Sequence, residues 1–386
     1  MKKCLATLLI LLLSLFIAWQ TLPNKYSINP AIKLSAPLSE QALQKQLTIH
    51  EGFKLSLYAN ELKGVRTIIT THTGDLIVSQ PSQGTVSLIY RDANGDHRSD
   101  GQQILLKKLN KPYGIALHKG WLYIAETNAV LRIPYDVKQR KITGKAEHII
   151  KHRFSGGGNH WSRSLKISPD HKLFISVGST CNVCIENSAN RASILQYDLD
   201  GSHEVLYAKG LRNSVGFDWQ PTTQQLYALD NGRDFLGDNV PPEELNKIKK
   251  GHHYGWPYEH GFDIKDPVYS QQKPARLQTS PPYYQLIAHS APLSLLFIKH
   301  NLLLKDMALI TLHGSWNRSQ KSGYKVIAIS LSAQQEIQPI DFIKGFESAG
   351  AVIGRPVDLT EDNNGNIYLS DDFNGRIYKI STVTSL

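Results

Sequence analysis

An internal repeat of roughly fifty residues constrains this chain more than any other feature. A short apolar run follows a polar turn at Leu76–Ser79, Leu122–Ala125, Leu173–Ser176, Leu226–Leu229, Ala308–Thr311 and Ile367–Ser370. These six runs start 46 to 59 residues apart, with one wider gap of 82. Turn formers precede them, among them Thr73-Gly74-Asp75, Lys119-Gly120, Pro169-Asp170-His171 and Asn363-Asn364-Gly365, residue types that tolerate the left-handed backbone of a hairpin. A second β-branched or aromatic run follows most of them, as in Val86–Tyr90, Val130–Ile133, Ile194–Tyr197, Tyr324–Ala328 and Arg376–Lys379. Short strands at even spacing admit a sandwich, a barrel or a propeller. A unit of this length decides for a propeller, because one unit makes one four-stranded blade. The expected fold is therefore all-β: a six-bladed β-propeller of four-stranded antiparallel blades over residues 51–386. A stretch at 24–50 leads into it, with a short helix near 39–47. The wide gap, roughly 252–288 and rich in Tyr, Pro and His, reads as an inserted loop.

The chain begins with an address label. Lys2 and Lys3 precede an apolar run from Leu5 to Trp19, closed by Pro23. A charged start and an apolar stretch of this length make residues 1–23 a signal peptide or a membrane anchor. Cys4 precedes the apolar run, so it is not placed like a lipoprotein cysteine. The body is expected to be exported, in the periplasm or an equivalent compartment, touching membrane only through that segment. Export bears on Cys181 and Cys184, which stand as C-x-x-C. A local disulfide suits an oxidising compartment, with a redox motif or half of a zinc site as rivals. No second cysteine pair exists to complete a zinc site.

Charge narrows the partners. The net charge of +10 comes from 43 Lys and Arg against 33 Asp and Glu, but the basic residues are scattered. Lys247, Lys249 and Lys250 form the densest patch, too short for a nucleic-acid surface. An anionic small ligand held by dispersed cations fits better.

Propellers bind ligands on loops at one end of the central channel, and the loops entering the blades carry the unusual polar groups. Gly156-Gly157-Gly158-Asn159-His160-Trp161 lets backbone approach a ligand closely and then presents His160. A neutral imidazole there takes a proton from a hydroxyl, unless it is simply a surface histidine. Arg212 and Asn213 offer a carboxylate fork and an amide, or an ordinary loop ion pair. The run from Asp230 to Asp234, with Asp238 to Glu244 beyond, is oxygen-rich and suits a hard cation such as calcium, or is a solvated acidic loop. His313–Ser319, Lys325 and Gly354-Arg355-Pro356 add cations. Asp92, Asn94, Asp96 and Asp100 have calcium-loop spacing without the glutamate of an EF-hand, and a polar turn is the alternative.

Taken in order, these motifs resemble the soluble glucose/sorbosone dehydrogenases that depend on pyrroloquinoline quinone. The resemblance is carried by His160-Trp161-Ser162-Arg163 with Val177-Gly178-Ser179, by Gly210–Asn213, by Pro241–Asn246 with Tyr254–Pro257, by His313–Ser319, and by Gly354–Val357 with Ser370–Asp372. It covers about residues 50–381, with the sorbosone branch the nearer. It implies pyrroloquinoline quinone and calcium as cofactors, a sugar as substrate and an external electron acceptor. By the same resemblance His160 is the catalytic base, and Arg212 and Asn213 hold and polarise the quinone. Main-chain carbonyls of Asn231, Gly232 and Arg233 bind the calcium. Arg318, Lys325 and Arg355 meet the cofactor carboxylates, with Lys299 a lesser candidate. The chain departs from the pattern at Asn159, where an acidic residue precedes the histidine in the glucose enzymes, and at Arg233, which replaces a proline.

Two other readings are open at this point: a propeller without catalysis that acts as a binding scaffold, and a calcium-dependent lactonase-type hydrolase. A hydrolase needs carboxylates and Asn on its metal, whereas a tricarboxylate quinone needs several Arg and Lys.

Overall fold

The computed structural model describes residues 13–14, 38–154, 158–331 and 336–383. Apart from Leu13 and Ser14, the expected signal or anchor segment lies outside the described residues, as do Gly156 and Gly157. Among the described residues no helix is long and apolar enough to cross a membrane.

Six antiparallel sheets follow one another along the chain, one for each repeat. Each repeat's apolar run forms the second strand of its blade. In blade one, strands Ile68–Thr70, Leu76–Gln80, Thr85–Ile89 and Gln102–Leu106 pair in sequence. All of Leu76–Gln80 is buried. A blade is covered on both faces by its neighbours, so these strands read as continuous apolar runs rather than as alternation. The side chains of adjacent blades interleave. Ile77, Val86 and Leu88 of the first blade pack with Ile115, Leu122, Ile124 and Ile133 of the second. The turn chemistry is as expected: Gly74, Lys119, Gly120, His171 and Gly365 all have positive φ.

The ring is closed by the chain's own beginning. Blade six takes three strands from Pro356–Glu361, Ile367–Asp371 and Arg376–Thr382, and its outermost strand is Phe53–Ala59. The expected helix is present at Glu40–Gln46, capped by Ser39, whose hydroxyl accepts from the Ala42 N–H. Leu43 and Leu47 pack beside Phe342 and Ile343 between blades five and six, and Thr48–Ile49 adds a fifth strand to blade five. The described part of the leading segment is thus built into the propeller.

The insertion falls between the third and fourth strands of blade four, Glu243–Lys247 and Tyr284–Leu286. It contains a small hairpin, Glu259–His260 with Ile264–Lys265, and a parallel pairing of His252–His253 with blade three.

Antiparallel alternation sorts the loops. Connections between blades, and those between second and third strands, share one end of the channel; the other turns lie at the opposite end. The loops bearing His160, Arg212, Asn231, His313, Arg355 and Asp371 all fall at the first end. Asp92–Asp100, which joins the third and fourth strands of blade one, and Lys299, which follows the first strand of blade five, fall at the other.

Candidate functional site

His160 stands on the loop entering blade three, and the loop after that blade's second strand reaches over to hold it. Nδ1 lies 2.9 Å from the carbonyl oxygen of Ser179 and 2.9 Å from its hydroxyl. A carbonyl only accepts, so Nδ1 carries the hydrogen and Nε2 presents its lone pair. The Ser179 hydroxyl donates onward to the Cys181 carbonyl at 2.6 Å. Burial, together with the positive charge of Arg212, pushes the His160 pKa down to about 3, so the ring is neutral near pH 7. Next to it, Trp161 packs edge-on against Tyr113, ring centres 5.8 Å apart.

Gly178 explains how His160 and Asn213 come together. A Cβ built on Gly178 would lie 2.6 Å from the His160 Cβ and 2.6 Å from Asn213 Oδ1. Only a residue without a side chain lets the two groups flank this point.

Arg212 is buried and heavily engaged. Its Nε donates to the Asn182 carbonyl at 2.8 Å, one Nη to the Asn231 carbonyl at 3.0 Å, and the other to Asn182 Oδ1 at 2.9 Å and Asp234 Oδ2 at 3.3 Å. Asp230 anchors this corner by accepting from the backbone N–H of both Arg212 and Asn213, at 2.8 and 2.7 Å. Asn231 donates from its amide to the carbonyls of Asn213 and Pro292. Glu243 accepts from Gly232 N–H at 2.5 Å and from Ala291 N–H at 3.1 Å. Its burial, which outweighs those two donors, raises its pKa to about 8. His160, Arg212, Asn213, Asn231 and Gly232 thus form one connected corner.

Arg233, expected beside them, contributes differently. Its guanidinium turns into the insertion and pairs with Asp266 at 2.6 Å, both side chains fully buried, and His260 Nε2 shares the same carboxylate oxygen at 3.0 Å. The side chain ties the loop to the insertion.

A second corner lies at the same end of the channel. His313 Nε2 donates to Asp372 at 3.0 Å, and Arg66 pairs with the other oxygen of Asp372 at 2.8 Å. Against its burial, His313 and Arg66 hold the Asp372 pKa down to about 2. Arg355 lies within electrostatic reach of His313 and Asp372, and its buried Nε has no hydrogen-bond partner among the described residues. A buried cationic donor left unpaired fits an anionic ligand and is costly without one. Arg318 sits at the rim, half-buried, donating to the Ala288 carbonyl and to Asn239 Oδ1.

The remaining expected residues are not brought here. Lys325 pairs with Asp341 at 2.6 Å on the fourth strand of blade five. Asp92, Asn94, Asp96 and Asp100 lie at the far end, where they accept from the backbone N–H groups of their own loop. Cys181 and Cys184 have their sulfurs at bonding distance, 1.94 Å, in the loop that holds His160.

Sequence reasoning gave no role to Ser179, Asn182, Arg66 or Asp372. Each is a loop residue whose partner lies on a different loop. The signal available was position: all four sit on connections that the propeller gathers at one end.

An uncharacterized protein of Borreliella burgdorferi is 30% identical over 363 residues, covering 90% of this chain and 93% of that one. A pyrroloquinoline quinone-dependent pyranose dehydrogenase of Coprinopsis cinerea is 23% identical over 417 residues; the match covers 88% of this chain and 55% of the fungal one. The calcium structure of the Trichoderma reesei carbohydrate-active enzyme of family AA12 superposes with a TM-score of 0.74 at 20% identity, covering 87% of this chain and 97% of that one. The model of the TrAA12-like family matches residues 47–258 and 266–383, and the chain belongs to that family.

Proposed function

We propose that this protein is an oxidoreductase that oxidises a sugar, or a sugar-derived hydroxyl or aldehyde, using pyrroloquinoline quinone and calcium. The observation that carries the reading is the state of His160: a neutral imidazole whose Nδ1–H is committed to Ser179, leaving Nε2 as a base beside a buried arginine. The dependence of relatives on this cofactor supports it.

The quinone, when bound, supplies the acceptor for the hydride of the substrate C–H. The protein's residues do the rest. His160 Nε2 takes the hydroxyl proton, and Ser179 keeps the ring from turning. Arg212 and Asn213 would hold the cofactor's oxygens, and Arg355 and Arg318 its carboxylates. The backbone carbonyls of Asn231, Gly232 and Arg233 would hold calcium, a hard cation that prefers such oxygens. The carboxylates at this end are already committed to backbone N–H groups or cations, as Asp230, Glu243 and Asp372 show. This favours the dehydrogenase over a hydrolase that needs them on its metal. The apolar N-terminal run and the C-x-x-C support a place outside the cytoplasm, in the periplasm or its equivalent.

The test is titration of the apo-protein with the quinone and calcium, followed by sugar-dependent dye reduction through an external acceptor. Saturable binding with turnover is expected. His160→Ala should abolish turnover and leave quinone binding within about twofold, since it removes a proton acceptor rather than a charge pair. Absence of quinone binding by the wild type would overturn the reading.

A further inference from the structure

We infer that Asn182 is a positioning residue for this site, setting the guanidinium of Arg212 and the backbone of the loop at 231–234 in one arrangement. The inference rests on the dehydrogenase reading for its consequence but not for its geometry.

Asn182 stands between Cys181 and Cys184, in the loop after the second strand of blade three. It belongs to neither of the loops that carry Arg212 and residues 231–234, yet it binds both. Its main-chain carbonyl accepts from Arg212 Nε at 2.8 Å and its Oδ1 from an Arg212 Nη at 2.9 Å. Oδ1 also accepts from the backbone N–H of Asp234 at 2.8 Å, and Nδ2 donates to the Asp234 carbonyl at 3.1 Å. The side-chain amide therefore spans the backbone of Asp234 as a strand partner would, while the same oxygen fixes the guanidinium plane.

The hydrogen count shows what this leaves. A guanidinium has five N–H donors. These contacts use Nε–H on the Asn182 carbonyl, both hydrogens of one Nη on Asn182 Oδ1 and Asp234, and one of the other Nη on Asn231. One hydrogen is left to meet a ligand, on the Nη that also touches Asn231. Asn182 supplies two of the four fixed contacts, so it decides where that last hydrogen points. The neighbouring link works the same way on the other reacting group: the Cys181 carbonyl holds the Ser179 hydroxyl, and Ser179 holds His160. One short loop thus aligns the base and the arginine, which come from different blade entries.

Asn182→Ala and Asn182→Asp test this. Aspartate keeps the Oδ1 acceptor for Arg212 and the Asp234 N–H but loses the Nδ2 donor to the Asp234 carbonyl; alanine has neither. In the apo-protein, hydrogen exchange at the Asp234 amide should be about tenfold faster in the alanine variant and less accelerated in the aspartate variant, tenfold being the effect of losing one such hydrogen bond. In the loaded enzyme, the alanine variant should bind the quinone about tenfold more weakly and show a lower kcat at unchanged sugar KM, with aspartate falling between alanine and wild type on both. Exchange at Asp234 unchanged in the alanine variant overturns the placement. Faster exchange with quinone affinity and kcat both unchanged overturns the positioning role. If the wild type itself fails to bind quinone, it is the dehydrogenase reading that falls, and the exchange measurement still decides whether Asn182 holds the two loops.

Discussion

At the scale of single residues, His160 is governed by two neighbours. Ser179 selects its tautomer and burial beside Arg212 selects its charge. A group whose pKa is lowered to about 3 stays neutral at every higher pH. Ring nitrogen shifts of His160 in the apo-protein should therefore keep the Nδ1–H pattern from pH 5 to pH 8. A titration midpoint near 6.5 would show that the ring is exposed and that the base is not pre-set. Gly178 belongs to the same scale, since the absence of one methyl group allows His160 and Asn213 to share a corner.

At the scale of elements, the insertion in blade four is the part a repeat cannot explain. It is pinned by one buried cluster, in which Asp266 meets Arg233 and His260 and also accepts from the N–H groups of Val268 and Tyr269. The chain's departure at position 233 thereby acquires a reason: the arginine anchors the insertion over the loop that faces the site. Asp266→Ala takes the carboxylate from a fully buried guanidinium and should cost about 3–5 kcal/mol in denaturant unfolding. A loss under about 1 kcal/mol, typical of an exposed ion pair, would mean that water reaches this cluster.

At the scale of the whole molecule, the channel end that carries the site is also where carboxyls are buried. Burial lifts Glu243 to about 8, Glu244 to about 7 and Asp371 to about 6. A carboxyl whose folded pKa lies above its unfolded one stabilises the fold fully below the unfolded value, and that contribution is lost as pH rises through the folded value. The buried histidines, held below the usual imidazole value, act in the opposite direction up to about pH 6.5, so the melting temperature of the apo-protein should fall between pH 7 and pH 8. Glu243→Gln removes one titrating group and should flatten the slope; parallel curves for variant and wild type would show that Glu243 does not carry it. The opposite limb lies lower: the contribution of Asp372, paired with His313 and Arg66, is full above the ordinary carboxylate range and is lost as pH falls toward about 2.

The repeat, the turns and the six buried strands were legible in the sequence, because strand period and turn chemistry are local: Lys119-Gly120 makes its hairpin from its own backbone preferences. The helix at Glu40–Gln46 and the insertion were legible for the same reason. The motif residues His160, Arg212, Asn213 and Asn231 were also legible and do converge. Tertiary structure alone decided the rest. That Phe53–Ala59 closes blade six depends on a pairing across the whole chain. Lys325 reads like Arg355 in sequence, yet it turns outward to Asp341, while Arg355 keeps a buried nitrogen without a partner among the described residues. Asp92–Asp100 has the composition of a metal loop, but strand alternation carries it to the far end of the channel. Ser179 and Asn182 matter only because one loop of blade three reaches both the entry to its own blade and the entry to the next. Sequence records what each residue offers; which offers meet is a property of the closed ring, where neighbours in space come from different repeats.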